Sequence, residues 1–319
     1  MNANSSLNSL SSFGGLESLE TIGGNFRVIA ESDHSLRFLS SFKGLSGLKS
    51  IGGDFEVNAK LFCFEYLASF EGLESLETIG GDFKVIAESS FKGLNGLKSI
   101  GGDFEVNANS SLESFEGLES LETIGGNFKI IDNKSSLNAL SSFKGLSSLK
   151  SIGGDFEVST DHSSSPHPSH SLNALESFEG LESLETIGGN FRVIAESFSY
   201  SYSFNVLSSF KGLSSLKSIG GDFEVKARVL ESFEGLENLT NIGDKLTIKG
   251  CSSLNNIDAL KNIESLNDIS ITTCSKLYDF CVLKNVVQNM SGTFYVNDNG
   301  YNPTKYQLLN GECSQIPQE

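Results

Sequence analysis

The sequence predicts an all-β chain, a parallel β-solenoid of about ten coils closed by a small C-terminal α/β cap. Three observations carry that expectation. One short motif recurs along most of the 319 residues, its apolar residues alternate as in a strand, and its charges change sign from copy to copy.

The motif aligns on Ile-Gly-Gly, at Ile22, Ile51, Ile79, Ile100, Ile124, Ile152, Ile187 and Ile219, with a degenerate Ile242-Gly243-Asp244 after them. A Phe stands nine residues before each Ile, from Phe13 to Phe233. The unit reads Phe-x-Gly-Leu-x-x-Leu-x-x-Ile-Gly-Gly-x-Phe-x-Val, as in Phe70 to Val85. A weaker copy runs from Ile257 through Leu260 and Leu266 to Ile271. The shortest copies recur every 21 to 24 residues, one turn of a leucine-rich or β-helical coil. The skewed composition, 24 Phe and 33 Gly without a Trp, follows from a few positions being filled repeatedly.

In Asp82-Phe83-Lys84-Val85-Ile86-Ala87, Phe, Val and Ala alternate with Lys and Ile and share one face of a strand. Stacking the coils turns Phe26, Phe55, Phe83, Phe104, Phe128, Phe156, Phe191 and Phe223 into one interior ladder, and Val28 to Val225 into a second. The Leu-x-x-Leu-x-x-Ile stretch lines the other side. The Gly pair reads as a turn, because a phosphate loop would need G-x-G-x-x-G spacing and a following helix.

Between the inward Phe and Val the outward residue runs Arg27, Glu56, Lys84, Glu105, Lys129, Glu157, Arg192, Glu224. Two more columns alternate likewise, from Glu20 to Lys217 and from Lys43 to Glu234. Adjacent strands lie about 4.8 Å apart, so each charge meets opposite charges in the neighbouring coils. A slip of one coil would set like against like. Gly15–Ser32 and Gly180–Ser197 are nearly the same text, which marks a two-coil duplication unit.

The formal net charge of −17 argues against nucleic acid or an anionic membrane as partner. No apolar run reaches the roughly 18 residues of a membrane span. Met1-Asn2-Ala3-Asn4-Ser5-Ser6 lacks the basic and apolar regions of a secretion signal. The repeat body holds no His, Cys-His pair or Gly-x-Ser-x-Gly elbow. A β-helical polysaccharide-acting enzyme would show carboxylates that break the repeat, and here nearly all obey it. No enzyme, cofactor or metal is therefore expected.

All length variation falls between the Val and the next Phe, at separations of 14, 13, 6, 9, 13, 20, 17 and 8 residues for the first eight coils. Insertions therefore leave from one edge, where repeat proteins carry binding loops. One insertion, 159–177, carries His162, His167 and His170 in Ser/Pro-rich text and reads as a loop, with a metal site as the alternative. Another, Ser197–Asn205, alternates Ser with Phe198, Tyr200, Tyr202 and Phe204. It reads either as an aromatic binding face for protein or carbohydrate or as an extra strand packed on the solenoid. A third, around Leu61 to Tyr66, is expected to fold back apolar. These His and aromatic residues are the candidate ligand contacts.

The pattern resembles the receptor L-domain family, a leucine-rich-repeat relative, and looks most like bacterial secreted and cell-surface proteins with many such repeats. Leu45–Val57, Leu94–Val106 and Leu213–Val225 carry the likeness. So does the end, Cys274-Ser275-Lys276-Leu277-Tyr278-Asp279-Phe280-Cys281, then Asn299-Gly300-Tyr301-Asn302-Pro303-Thr304 and Cys313, which is similar to the end-cap of those arrays. The resemblance implies a right-handed coil, an extracellular or cell-surface location, and adhesion or ligand binding. A purely structural stalk is the competing expectation, and the chain is expected to be a monomer. Phe fills strand positions where the family more often has Leu.

These readings divide the chain into a solenoid over 1–272 and a cap over 273–319. Within the cap, Tyr278–Val287 reads as an amphipathic helix with Phe280, Leu283 and Val287 on one face, followed by a strand at Phe294–Val296. Cys281 and Cys313 are the favoured disulfide, closing a loop of about 30 residues. Cys251 and Cys274 occupy equivalent positions 23 residues apart and are the second candidate pair, which leaves Cys63 unmatched. Such cysteine use fits an oxidising compartment.

Overall fold

A computed structural model describes residues 2–3, 12–30, 41–59, 69–87, 90–108, 112–131, 139–159, 174–195 and 206–315. Each coil consists of two turns, a short strand, a Gly-Gly corner and a longer strand. In one coil, for example, Thr78–Ile79 is the short strand and Phe83–Ala87 the long one. Among the described residues the short strands build a nine-stranded parallel sheet, and eleven longer strands with the two-residue Asn2–Ala3 at their edge build a twelve-stranded one, both in strict chain order. The chain is a parallel β-solenoid.

Local chemistry explains each part. Leu73 N–H donates to the Phe70 carbonyl at 3.1 Å and Leu76 N–H to that of Leu73 at 3.0 Å. The three-residue apolar spacing is therefore two successive turns that aim Phe70, Leu73, Leu76 and Ile79 inward, all buried. Gly72 sits between them at φ +104°, a conformation that L side chains rarely adopt.

Register is in phase throughout: Phe83 lies opposite Phe104, Lys84 opposite Glu105 and Val85 opposite Val106. Rings of the long-strand column stack face to face, 5.2 Å from Phe83 to Phe104 and 5.0 Å from Phe104 to Phe128. The turn column stacks beside it, 5.8 Å from Phe42 to Phe70. The long-strand column turns edge-on once, between Phe156 and Phe191 at 82°, and then resumes stacking at Phe223. Both arrangements suit the ring quadrupole.

The charge columns pair as their alternation requires, and the pairing has a phase. Glu20–Lys49, Glu77–Lys98, Glu122–Lys150 and Glu185–Lys217 join first to second coil within each two-coil unit. Lys43–Glu71 and Lys211–Glu234 join one unit to the next. These pairs are exposed and screened by solvent, so they select register more than they stabilise.

The two ends differ. The first coil leaves Leu16 44% exposed and Leu19, Ile22 and Phe26 only partly covered, whereas the equivalents Leu73, Leu76, Ile79 and Phe83 are at most 1% exposed. At the other end the long sheet runs past residue 272, since Phe294–Asn297 pairs in parallel with Asp268–Thr272. The amphipathic segment expected over Tyr278–Val287 appears as a 3-10 turn, Cys281–Leu283, running into the helix Lys284–Asn289. Phe280, Leu283 and Val287 are buried as that reading requires. A second helix, Lys305–Leu309, opens on a Thr304/Gln307 capping box.

Cys281 and Cys313 form a disulfide with Cα atoms 4.8 Å apart. The second expected bridge is corrected: Cys251 and Cys274 are neighbours but remain buried thiols. Both lie two residues past the ends of the paired strands Lys245–Lys249 and Asp268–Thr272, in the turns that follow. Each sulfur instead faces a carbonyl of its own turn, Thr272 O at 3.4 Å from Cys274 and Lys249 O at 3.7 Å from Cys251. The Cys274 sulfur and burial together push the Cys251 thiol well up. Cys63 lies outside the described residues.

Candidate functional site

The insertion edge is defined by how the chain leaves and re-enters the coil. It leaves after the long strands, as after Phe156–Ser159 and Phe191–Ala195. It returns on a Leu three residues before the turn Phe, and Leu112, Leu140, Leu175, Leu207 and Leu230 are at most 2% exposed. The sequence reading missed this Leu, although its fixed offset from Phe was a usable signal. Val158 and Val193 on the outgoing side are fully buried as well, so a rigid frame brackets the insertions that return on Leu175 and Leu207. The frames also bond to one another: Glu176 N–H donates to Ser141 O at 3.1 Å and Glu231 N–H to Ser208 O at 2.9 Å.

The candidate contacts within those frames, His162, His167, His170, Phe198, Tyr200, Tyr202 and Phe204, lie outside the described residues, as does the Leu61–Tyr66 segment.

Carboxylates of the coil body serve the array. Backbone donation from Asp103 and the Lys84 ammonium hold the Asp82 carboxyl below the usual range. Lys150 does the same for Glu122, and Lys217 for Glu185. Burial pushes Glu224 up, but Lys226 and Arg192 outweigh it and leave that carboxyl lowered. Each of these perturbations traces to a neighbour in the repeat lattice. Among the described residues no group of three or more His, Cys, Asp or Glu is placed to hold a metal ion. No helix among them is long and apolar enough to cross a membrane.

An Asp/Asn column that the sequence reading left as a blank position runs beside the long strands. Asp54 N–H donates to Asn25 Oδ1 at 2.9 Å, Asp103 N–H to Asp82 Oδ1 at 2.9 Å and Asp155 N–H to Asn127 Oδ1 at 2.7 Å. The Gly corner therefore repeats in the same form from coil to coil, which holds the exit points of the insertions in line.

Two open surfaces lie away from the edge. One is a trough of about 530 Å³ along the short-strand sheet, floored by Gly and Ile between Ser/Thr hydroxyls. The other is a polar cleft of about 380 Å³ beside the cap. No protein-family model matches the chain, and no curated protein matches it.

Proposed function

We propose that this chain is a non-catalytic ligand-binding or adhesion module of the receptor L-domain-like kind, secreted or displayed at a cell surface. One observation carries the reading: five insertions, the His-bearing and the aromatic one among them, leave between a buried strand residue and a buried Leu on one edge. A rigid lattice that holds variable segments in one row is how scaffolds present binding loops. The Cys281–Cys313 disulfide supports an oxidising setting. The partner is a protein or a glycan, and recognition runs through the aromatic 197–205 and His-bearing 159–177 insertions. The near-identity of the two-coil units favours a second reading, a spacer that holds other parts at a fixed distance.

Glycan and protein arrays probed with the full chain, and with a variant lacking 160–173 and 196–205, separate the two readings. A binding module gives hits that the variant loses. A spacer gives no hits with either protein.

A further inference from the structure

The polar cleft beside the cap is where the repeat lattice stops using its own side chains. Two residues after the first turn Leu, every coil from Ser18 to Ser215 carries Ser or Gly. The next three turns carry Asn238, Asn262 and Asn285 instead, and all three line the cleft. The bridge between Asn241 and Ser265 fixes the register that stacks Asn238 on Asn262. In the adjacent column the Glu/Lys alternation ends at Lys217 and is followed by Thr240 and Glu264.

Hydrogen-bonding capacity is left over as a result. Asn238 Nδ2 donates to Ser214 O at 2.8 Å and Asn262 Nδ2 to Glu237 O at 2.6 Å. Those bonds fix the amide planes, and among the described residues no donor reaches either Oδ1. The side chains of Asn285, Lys261 and Glu264 make no hydrogen bond or ion pair among the described residues. Ile263 is the apolar member of an otherwise polar lining. Ile263 is only 3% exposed, so the cleft presents polar groups and suits a polar guest. Fixed amide acceptors alongside amide and ammonium donors suit hydroxyl groups, which donate and accept together. Glu264 and the overall charge of −17 disfavour polyanions.

We infer that this cleft is a saccharide-binding site that takes a pyranose unit of a neutral glycan. The site is separate from the insertion edge and does not rest on it.

The test is titration of the ¹⁵N-labelled full chain with cellotetraose, maltotetraose and chitotetraose at millimolar concentration, following the side-chain amide resonances of Asn238, Asn262, Asn285 and Asn289. At least one tetrasaccharide shifts these resonances. The Lys261→Ala/Asn285→Ala variant then binds about tenfold or more weakly with an unchanged melting curve. Asn285→Ala alone serves if the pair disturbs the cap. Deleting 160–173 and 196–205 leaves the shifts in place, which separates this site from the edge. Absence of shifts with all three sugars overturns the inference, as do shifts that the cleft variants leave unaltered.

Discussion

The backbone N–H of Asp103 donates to Oδ1 of Asp82 at 2.9 Å, across one coil boundary and 21 residues of sequence. The same bond recurs from Asn25 to Asp222, with Asp and Asn interchangeable because only one side-chain oxygen is used. At Asp82 the second oxygen meets Lys84 at 2.9 Å.

This arrangement predicts an acid-sensitive lattice. The folded state lowers the Asp82 pKa, so its contribution is fully present above the unfolded value and is lost as pH falls through the folded one. Asp82→Asn keeps the Oδ1 acceptor and removes the titration. At neutral pH it costs about 0–1 kcal/mol through the exposed Lys84 pair. Urea midpoints measured from neutral to acid pH fall less steeply for the variant than for the parent chain. Parallel curves would remove Asp82 from the account.

Substituting one repeat position in two coils tests the stacking. A Cβ at Gly101 would collide with the Gly80 carbonyl, whereas a Cβ at Gly23 in the first coil meets nothing within 4 Å. Gly101→Ala destabilises by about 1–3 kcal/mol, and Gly23→Ala stays within about 0.5 kcal/mol of the parent. Chemical denaturation of the pair reads the difference. Equal costs would mean that the first coil is covered as the inner ones are.

The aromatic columns carry a graded expectation. Phe104 is fully buried between Phe83 and Phe128. Phe104→Ala costs about 3–5 kcal/mol. Phe104→Leu costs about 1.5 kcal/mol or less, since Leu246 already fills this position opposite Phe223. A Leu variant as unstable as the Ala variant would show that ring stacking, and not volume, sustains the column.

What was legible in the sequence was what repeats within one coil. The Phe-x-Val alternation placed the long strands, and the sign alternation of Arg27 against Glu56 placed their register. The Asp/Asn column was missed because its partner is a main-chain N–H of the next coil, which no side-chain pattern reveals. The two-residue strands such as Thr78–Ile79 were read only as apolar lining, being too short for periodicity to register. At Cys251 and Cys274 equal position in the repeat was legible, but the turn of each thiol toward a carbonyl two residues before it was not. The cap helix begins later than its apolar spacing suggested, because Phe280 is tied by its N–H to Cys313 O at 2.9 Å and the first turn stays 3-10.

Cysteine chemistry gives a direct mass measurement. Peptide mapping of unreduced protein finds Cys281 joined to Cys313, with Cys251 and Cys274 unalkylated until denaturant is added. Replacing the bridge by Cys281→Ser/Cys313→Ser lowers stability by about 2–4 kcal/mol. A Cys251–Cys274 bridge in folded protein would contradict the two buried free thiols of this structure.

The central claim, that the edge insertions carry recognition of the partner, is tested most directly by moving an insertion. Once a ligand of the full chain is in hand, residues 196–205 are excised and the segment 196–209 is placed in exchange for 88–90, so that Leu207 stands three residues before Phe91 and the frame lies between two coils of the same kind. Binding measured by calorimetry follows the segment to its new coil, and the excised parent position no longer binds. Binding that survives the excision, and that Lys261→Ala/Asn285→Ala in the cap cleft also leaves unaltered, contradicts the account and assigns recognition to the rest of the coil body.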